Sequence, residues 1–190
     1  MAVEKKASTA KKAPKKPAAK AEKKVAGKKS VKSTSLLIKV PQGGQVIRTF
    51  HLTPSLPVEG HAGNWLLVDP EKPFQDIDSL RFSFSVGSSD LEQQFERAII
   101  QIKIQQNLLN NGIWRFASDG VAVNPIFNDV NHDVVVEITD AGYTLLAQVQ
   151  SVGNTPEEIH FGYLASFTDA VSGVVTVYES LDPDVRVGRP

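Results

Sequence analysis

From Ser35 onward, apolar residues arrive in short bursts that alternate with polar ones at a period of two. Phe82, Phe84 and Val86 alternate with Arg81, Ser83 and Ser85. Tyr143, Leu145, Ala147 and Val149 alternate with Thr144, Leu146, Gln148 and Gln150, and Phe161, Tyr163, Ala165 and Phe167 with His160, Gly162, Leu164 and Ser166. Successive side chains of an extended chain point to opposite faces, so each burst predicts a strand with one buried face. Less regular bursts predict strands at 36–40, 46–52, 64–68, 98–105, 113–117, 121–124, 134–139, 173–179 and 185–188. Between them lie turn formers: Gln42-Gly43-Gly44, the run from Pro57 to Gly63, Ser118-Asp119-Gly120, Asp140-Ala141-Gly142, Gly153-Asn154-Thr155-Pro156 and Asp182-Pro183. Asp90 to Gln106 fits both periods. Ser89 or Asp90 can cap a short helix running to about Glu96, whereas β-branched Ile99 to Ile104, interleaved with Gln101 and Lys103, predicts strand.

About ten short strands with one helical turn predict an all-β domain, an antiparallel β-sandwich over residues 35–190, with a closed barrel as the alternative. No repeat of roughly 20–50 residues is visible, which argues against a solenoid or propeller. Asp140-Ala141-Gly142-Tyr143-Thr144-Leu145 resembles the tyrosine corner of immunoglobulin-like domains. The resemblance implies an immunoglobulin-like architecture in which Tyr143 opens a strand and Trp65 or Trp114 is the tryptophan of an inner strand.

Residues 1–34 have a different texture: Lys, Ala, Pro, Ser, Thr and Gly with a few Val, and no Ile or aromatic residue. Such a segment buries too little apolar surface to offset the ~1–2 kcal/mol per residue lost in ordering a backbone, so it is expected to be a disordered tail. Its lysines are Lys5, Lys6, Lys11, Lys12, Lys15, Lys16, Lys20, Lys23, Lys24, Lys28, Lys29 and Lys32. The run from Lys11 to Lys20 resembles the Lys/Ala/Pro-rich tails of linker histones and bacterial histone-like proteins. Formal net charge is zero only because the signs are separated: twelve lysines against Glu4 and Glu22 give the tail +10, and residues 35–190 carry −10. Mobile ammonium groups suit a polyelectrolyte, since each neutralised phosphate releases condensed counterions. The tail has no arginine, the usual reader of base edges, so binding to DNA, RNA or another polyanion is expected to ignore sequence. A phosphate on Ser8, Thr9, Ser30, Ser33, Thr34 or Ser35 would subtract about 1.5–2 charges and weaken that binding.

The chain has no cysteine, which removes thiol nucleophiles, zinc ribbons and redox pairs. His51, His61, His132 and His160 form no i, i+4 or His-x-His pair, and the glycine-rich phosphate loop, the dinucleotide fingerprint and the Gly-x-Ser-x-Gly elbow are absent. No catalytic residue, metal or cofactor is expected. Asp69, Glu71, Asp76 and Asp78 make the densest acidic stretch, with Asp129 and Asp133 a second, and both are expected to be solvated rather than calcium-binding. Phe82 with Phe84, Trp114 with Phe116, and Phe161 with Tyr163 could stack bases, but small or polar alternating partners predict that they fill a core. Asp69-Pro70-Glu71-Lys72-Pro73 and the run from Leu181 to Val187 resemble the DP-EP family of small bacterial proteins, which has no assigned activity and implies none here.

The expected function is therefore a non-enzymatic binding protein whose tail holds nucleic acid or another polyanion while the acidic sandwich makes a second contact, with a protein partner or with itself. The alternatives are a structural or assembly module of virion or surface type, and a carbohydrate- or small-ligand-binding sandwich with a solubilising tail. Apolar residues never run for the ~18 positions of a spanning helix, and no secretory signal opens the chain, so a cytoplasmic, nucleoid or nuclear location is expected.

Overall fold

The computed structural model describes residues 34–58, 63–107, 110–123, 134–150, 157–180 and 184–188, with only the backbone described at 123, 157–161 and 184–188. The twelve tail lysines, His61, His132, Asp129, Asp133 and the Asp182-Pro183 turn lie outside the described residues, as do the side chains of His160 and Phe161.

The described residues form a β-sandwich. In chain order the strands are β1 (Ser35–Lys39), β2 (Gln45–Thr53), β3 (Leu66–Asp69), β4 (Lys72–Asp76), β5 (Ser79–Ser83), β6 (Arg97–Ile104), β7 (Gly112–Val123), β8 (Val134–Thr139), β9 (Thr144–Val149), β10 (Glu157–Asp169), β11 (Val175–Glu179) and β12 (Asp184–Gly188). One sheet runs β1-β5-β12-β10-β11, with β7 also paired to β10, and the other runs β4-β3-β2-β6-β9-β8. Most neighbours are antiparallel, as the alternating pattern implied. Three pairs are parallel: β1 with β5, β5 with β12, and β2 with β6. A parallel pair needs a long crossover. Between β2 and β6 the chain supplies one by passing through β3, β4 and β5.

The inward residues of both sheets meet in one core. From the first sheet come Ile38, Leu80, Phe82, Trp114, Phe116, Tyr163, Ala165 and Phe167; from the second, Phe50, Leu52, Ala98, Ile100, Ile102, Leu145, Ala147 and Val149. The three aromatic pairs offered as stacking platforms are therefore core residues wherever their side chains are described.

The ambiguous stretch resolves at Glu96. Helix α1 (Asp90–Gln93) is a single turn with a capping box, in which the Ser89 hydroxyl and the Glu92 carboxylate each accept from the other residue's backbone N–H. Strand β6 follows at once, with Ala98, Ile100, Ile102 and Ile104 inward. Glu96, 1% exposed, ties the turn between β1 and β2 to the start of the helix: its carboxylate accepts from the backbone N–H of Gly43 at 2.9 Å and from the hydroxyl of Ser88. Glu96→Ala removes the charged acceptor shared by the Gly43 N–H and the Ser88 hydroxyl, which costs about 1.5–3 kcal/mol. Its Tm is expected to fall by roughly 3–10 °C at this chain length, with Glu96→Gln losing less, and thermal melts of both variants check this.

Two elements differ from expectation. The residues 113–117 and 121–124 are one strand, β7, because both halves pair with β10 instead of turning back on each other. The five-residue step of β7 from Phe116 to Val121 opposes the two-residue step from Ala165 to Tyr163, so 117–120 form a bulge with left-handed backbone at Ser118 (φ 52) and Gly120 (φ 79). Gly120 fits because a Cβ there would lie 2.5 Å from Leu145 Cδ1 across the sandwich. Strand β4, which the pattern did not predict, is an edge strand whose Pro73 does not interrupt a central ladder, and its Phe74 is fully exposed.

Candidate functional site

The acidic stretch does not stay together. Asp69 closes β3, where its carboxylate accepts from the backbone N–H of Glu71 at 2.9 Å, a local turn bond that accounts for the first Asp-Pro dipeptide. Asp76 and Asp78 lie where the chain leaves β4, in the second sheet, and crosses through buried Ile77 to β5 in the first. This crossover walls a cleft of about 100 Å³, lined by Asp76, Asp78, Asn64, Trp65, Tyr163 and Ser180 over an apolar floor of Leu52 and Leu67.

The chain enters the sandwich at the same place. The backbone N–H of Thr34 donates to the Asp78 carboxylate at 2.6 Å, and the N–H of Asp78 donates back to the Thr34 carbonyl at 3.0 Å. On the opposite wall the Tyr163 N–H donates to Ser180 Oγ at 2.7 Å and the Ser180 N–H to the Tyr163 carbonyl at 2.9 Å. Burial pushes the Tyr163 phenol far above its ordinary pKa, so it stays neutral.

Burial, then the neighbouring charge of Asp78, raises the Asp76 pKa above the ordinary carboxylate value, against the pull of amide donors at Ile77 and Leu67. A carboxyl that holds its proton more tightly folded than unfolded contributes stability below its unfolded pKa and loses it as pH rises through the folded one. The Tm of Asp76→Asn minus that of the natural chain is therefore expected to grow as pH rises from about 3.5 to 7, the asparagine staying neutral throughout. Melts across that range check it; a constant difference defeats it.

Chemically, the cleft offers two carboxylates beside an indole, a setting for a cation or a hydrogen-bond donor. At about 100 Å³ it is well below the ~300–1,000 Å³ of typical small-molecule pockets, room for one small group and not for a nucleotide or sugar. Among the described residues no group of three or more His, Asp or Glu side chains is arranged to hold a metal, and no helix is long and apolar enough to cross a membrane. His51 is half-buried on β2 opposite Val68 and Lys103. Sequence spacing marked Asp76 and Asp78 only as members of an acidic stretch; the placement of the Ile77 crossover beside Ser180 makes the cleft.

The tyrosine-corner residues are also located. Asp140–Gly142 form a single 3-10 turn with left-handed backbone at all three positions, and Tyr143 closes it, so β9 begins one residue later than the resemblance implied. The Tyr143 ring lies 5.2 Å from the guanidinium carbon of Arg115. Of the two tryptophans, Trp114 is the fully buried one, and Trp65 meets it edge-on at 5.6 Å.

Comparison with curated proteins gives no match. Among family models, that of the DP-EP family matches residues 34–189, which takes in every described strand and the cleft. The chain belongs to the DP-EP family.

Proposed function

We propose that this protein is a non-enzymatic binding protein whose lysine-rich tail holds nucleic acid, duplex DNA in the first instance, without regard to sequence, while the acidic sandwich makes a second contact. The observation that carries this reading is the partition of charge, +10 over residues 1–34 against −10 over 35–190. A folded part of net −10 repels phosphates, so it adds nothing to polyanion affinity and leaves the tail to supply all of it. The packing of the sandwich supports the same division. Phe82, Phe84, Trp114, Phe116 and Tyr163 are at most 5% exposed, which takes them out of reach of bases, and the cleft at the Ile77 crossover presents carboxylates.

The test compares three proteins at 50 mM salt: the full chain, the full chain with all twelve tail lysines changed to glutamine, and residues 35–190. The full chain should shift a labelled 30-base-pair duplex, and scrambling the duplex sequence should change nothing. The other two should leave it unbound, the lysine-substituted chain melting as the natural protein does and residues 35–190 somewhat lower, since they lack the Thr34 pair with Asp78. Binding by residues 35–190 would refute the reading.

A further inference from the structure

The outer strand β11 pairs with β10 from Leu164↔Glu179 to Thr168↔Val175, and among the described residues it has no second ladder. An open edge presents a row of unpaired N–H and C=O groups, and proteins ordinarily guard such edges with lysine, proline, a bulge or a covering segment. The other outer strands here are guarded. Strand β1 ends in Lys39, β4 carries Lys72, Pro73 and a shift in register, β7 carries Arg115, Asp119 and its bulge, and β8 carries Glu137 and lies against β7. Strand β11 is the least guarded: its one charge, Glu179, stands at its end, and from Ala170 to Tyr178 there is no charged residue and no proline.

Two of its three outward side chains, Val175 and Val177, are apolar as well. Val175 is 60% exposed and Val177 56%, and across the sheet the row Val175–Thr168–Ile113 extends the surface to a third strand, with Ile113 46% exposed. Tyr178 on the inner face is already engaged, its ring 5.5 Å from that of Trp114.

We propose that β11 pairs antiparallel with β11 of a second copy of this chain, about a two-fold axis at Val177, so that the first sheets of two sandwiches become one. The strand suits itself. Centring on Val177 sets Val177 against Val177, Thr176 against Tyr178 on the inner face, and Val175 against Glu179 on the outer face. The two Glu179 carboxylates, the only charges on the strands, are then four residue steps apart, roughly 13 Å along the strand. That exceeds the ~8 Å screening length at physiological salt, so they do not oppose the pairing. Elsewhere the sandwich is net acidic and two copies repel; along this edge they do not. The pairing fits a closed, isologous dimer, the commonest symmetric assembly.

The experiment is sedimentation and light scattering of the full chain without nucleic acid, from about 1 to 200 μM, at 0.3 M and 0.5 M salt, where tail-to-sandwich attraction is screened. The result expected is a species of twice the 20.7 kDa chain mass at both salts. Val177→Lys places like charges on the axis and should weaken self-association at least tenfold. Because Val177 is exposed, its circular dichroism should match the natural protein's and its Tm that of the natural chain diluted until monomeric, which separates a lost interface from a lost fold. A monomer throughout the range, a dimer that dissolves between 0.3 and 0.5 M salt, or a dimer indifferent to Val177→Lys overturns the proposal. No step uses the tail's ligand, so the dimer and the polyanion reading fail independently. If both hold, two tails act together, and Val177→Lys should also lower affinity for long duplexes by about 10²–10⁴-fold.

Discussion

Raising salt from 50 to 200 mM is expected to weaken the full chain's hold on duplex DNA by about 10³–10⁵-fold. The figure follows from the tail. Each lysine that neutralises a phosphate releases condensed counterions, and the logarithm of the affinity then falls with the logarithm of salt at about −0.9 per contact. If six to ten of the twelve lysines are engaged, the slope lies between about −5 and −9. Phosphates recur every ~1.7 Å along a duplex. An extended chain advances up to ~3.5 Å per residue, so lysine doublets separated by Ala and Pro can meet successive phosphates without a fixed fold. Changing Lys5, Lys6, Lys11, Lys12, Lys15 and Lys16 to glutamine halves the lysine count and should halve the slope. Fluorescence anisotropy across the salt series reads both. A slope near zero would mean that contacts other than ion pairs hold the DNA, and a half-neutralised tail with an unchanged slope would mean that the charges sit elsewhere.

Much of the sandwich is legible in the sequence because its strands have one wet face. Phe161, Tyr163, Ala165 and Phe167 alternate with smaller or more polar residues, and in the fold Tyr163, Ala165 and Phe167 point into the core. The helix boundary is legible for a different reason: Ser89 and Glu92 stand at capping-box spacing, and β-branched residues begin at Ile99, three positions after Glu96. Where the text misleads, local chemistry meets a long-range partner. Ser118-Asp119-Gly120 has turn composition and does adopt left-handed backbone, yet β10 holds both flanks of β7 and converts a turn into a bulge. Lys72-Pro73-Phe74 carries one apolar residue and a proline, so no period is visible, and β4 owes its pairing to β3 alone. The cleft was legible only as a crowd of carboxylates. That Asp76 and Asp78 part from Asp69 and face Ser180, about a hundred residues away, depends on which sheet the chain enters at Ile77. The β11 edge could be read as an apolar strand, Val174 to Tyr178, but its place at the end of a sheet could not.

Replacing Trp114 by alanine is expected to cost about 3–5 kcal/mol, within the range for emptying an aromatic site in a packed core. Trp114 has no exposure and meets three other rings: Phe167 at 5.0 Å, Tyr178 at 5.5 Å and Trp65 at 5.6 Å. It thus connects β7, β10 and β11 of one sheet to the residue that precedes β3 of the other and lines the cleft. Its backbone is held by a side chain that acts as a strand: Gln106 accepts from the Trp114 N–H and donates to its carbonyl, both at 2.9 Å. Alanine keeps those two bonds and loses the rings, so the cost is packing. Against a total stability of about 5–15 kcal/mol the loss is large, and the Tm should drop by roughly 6–20 °C. Phenylalanine should cost much less, because it refills most of the volume and removes an indole N–H that meets no acceptor among the described residues. Urea and thermal melts of both variants decide; an alanine variant melting within 2 °C of the natural chain would mean that the rings are not what joins the sheets. The comparison also separates the two halves of the protein. A tail that binds by counterion release has no need of a folded neighbour, so at 50 mM salt the alanine variant should hold duplex DNA with the affinity of the natural chain in monomeric solution, even at a temperature where its sandwich has melted.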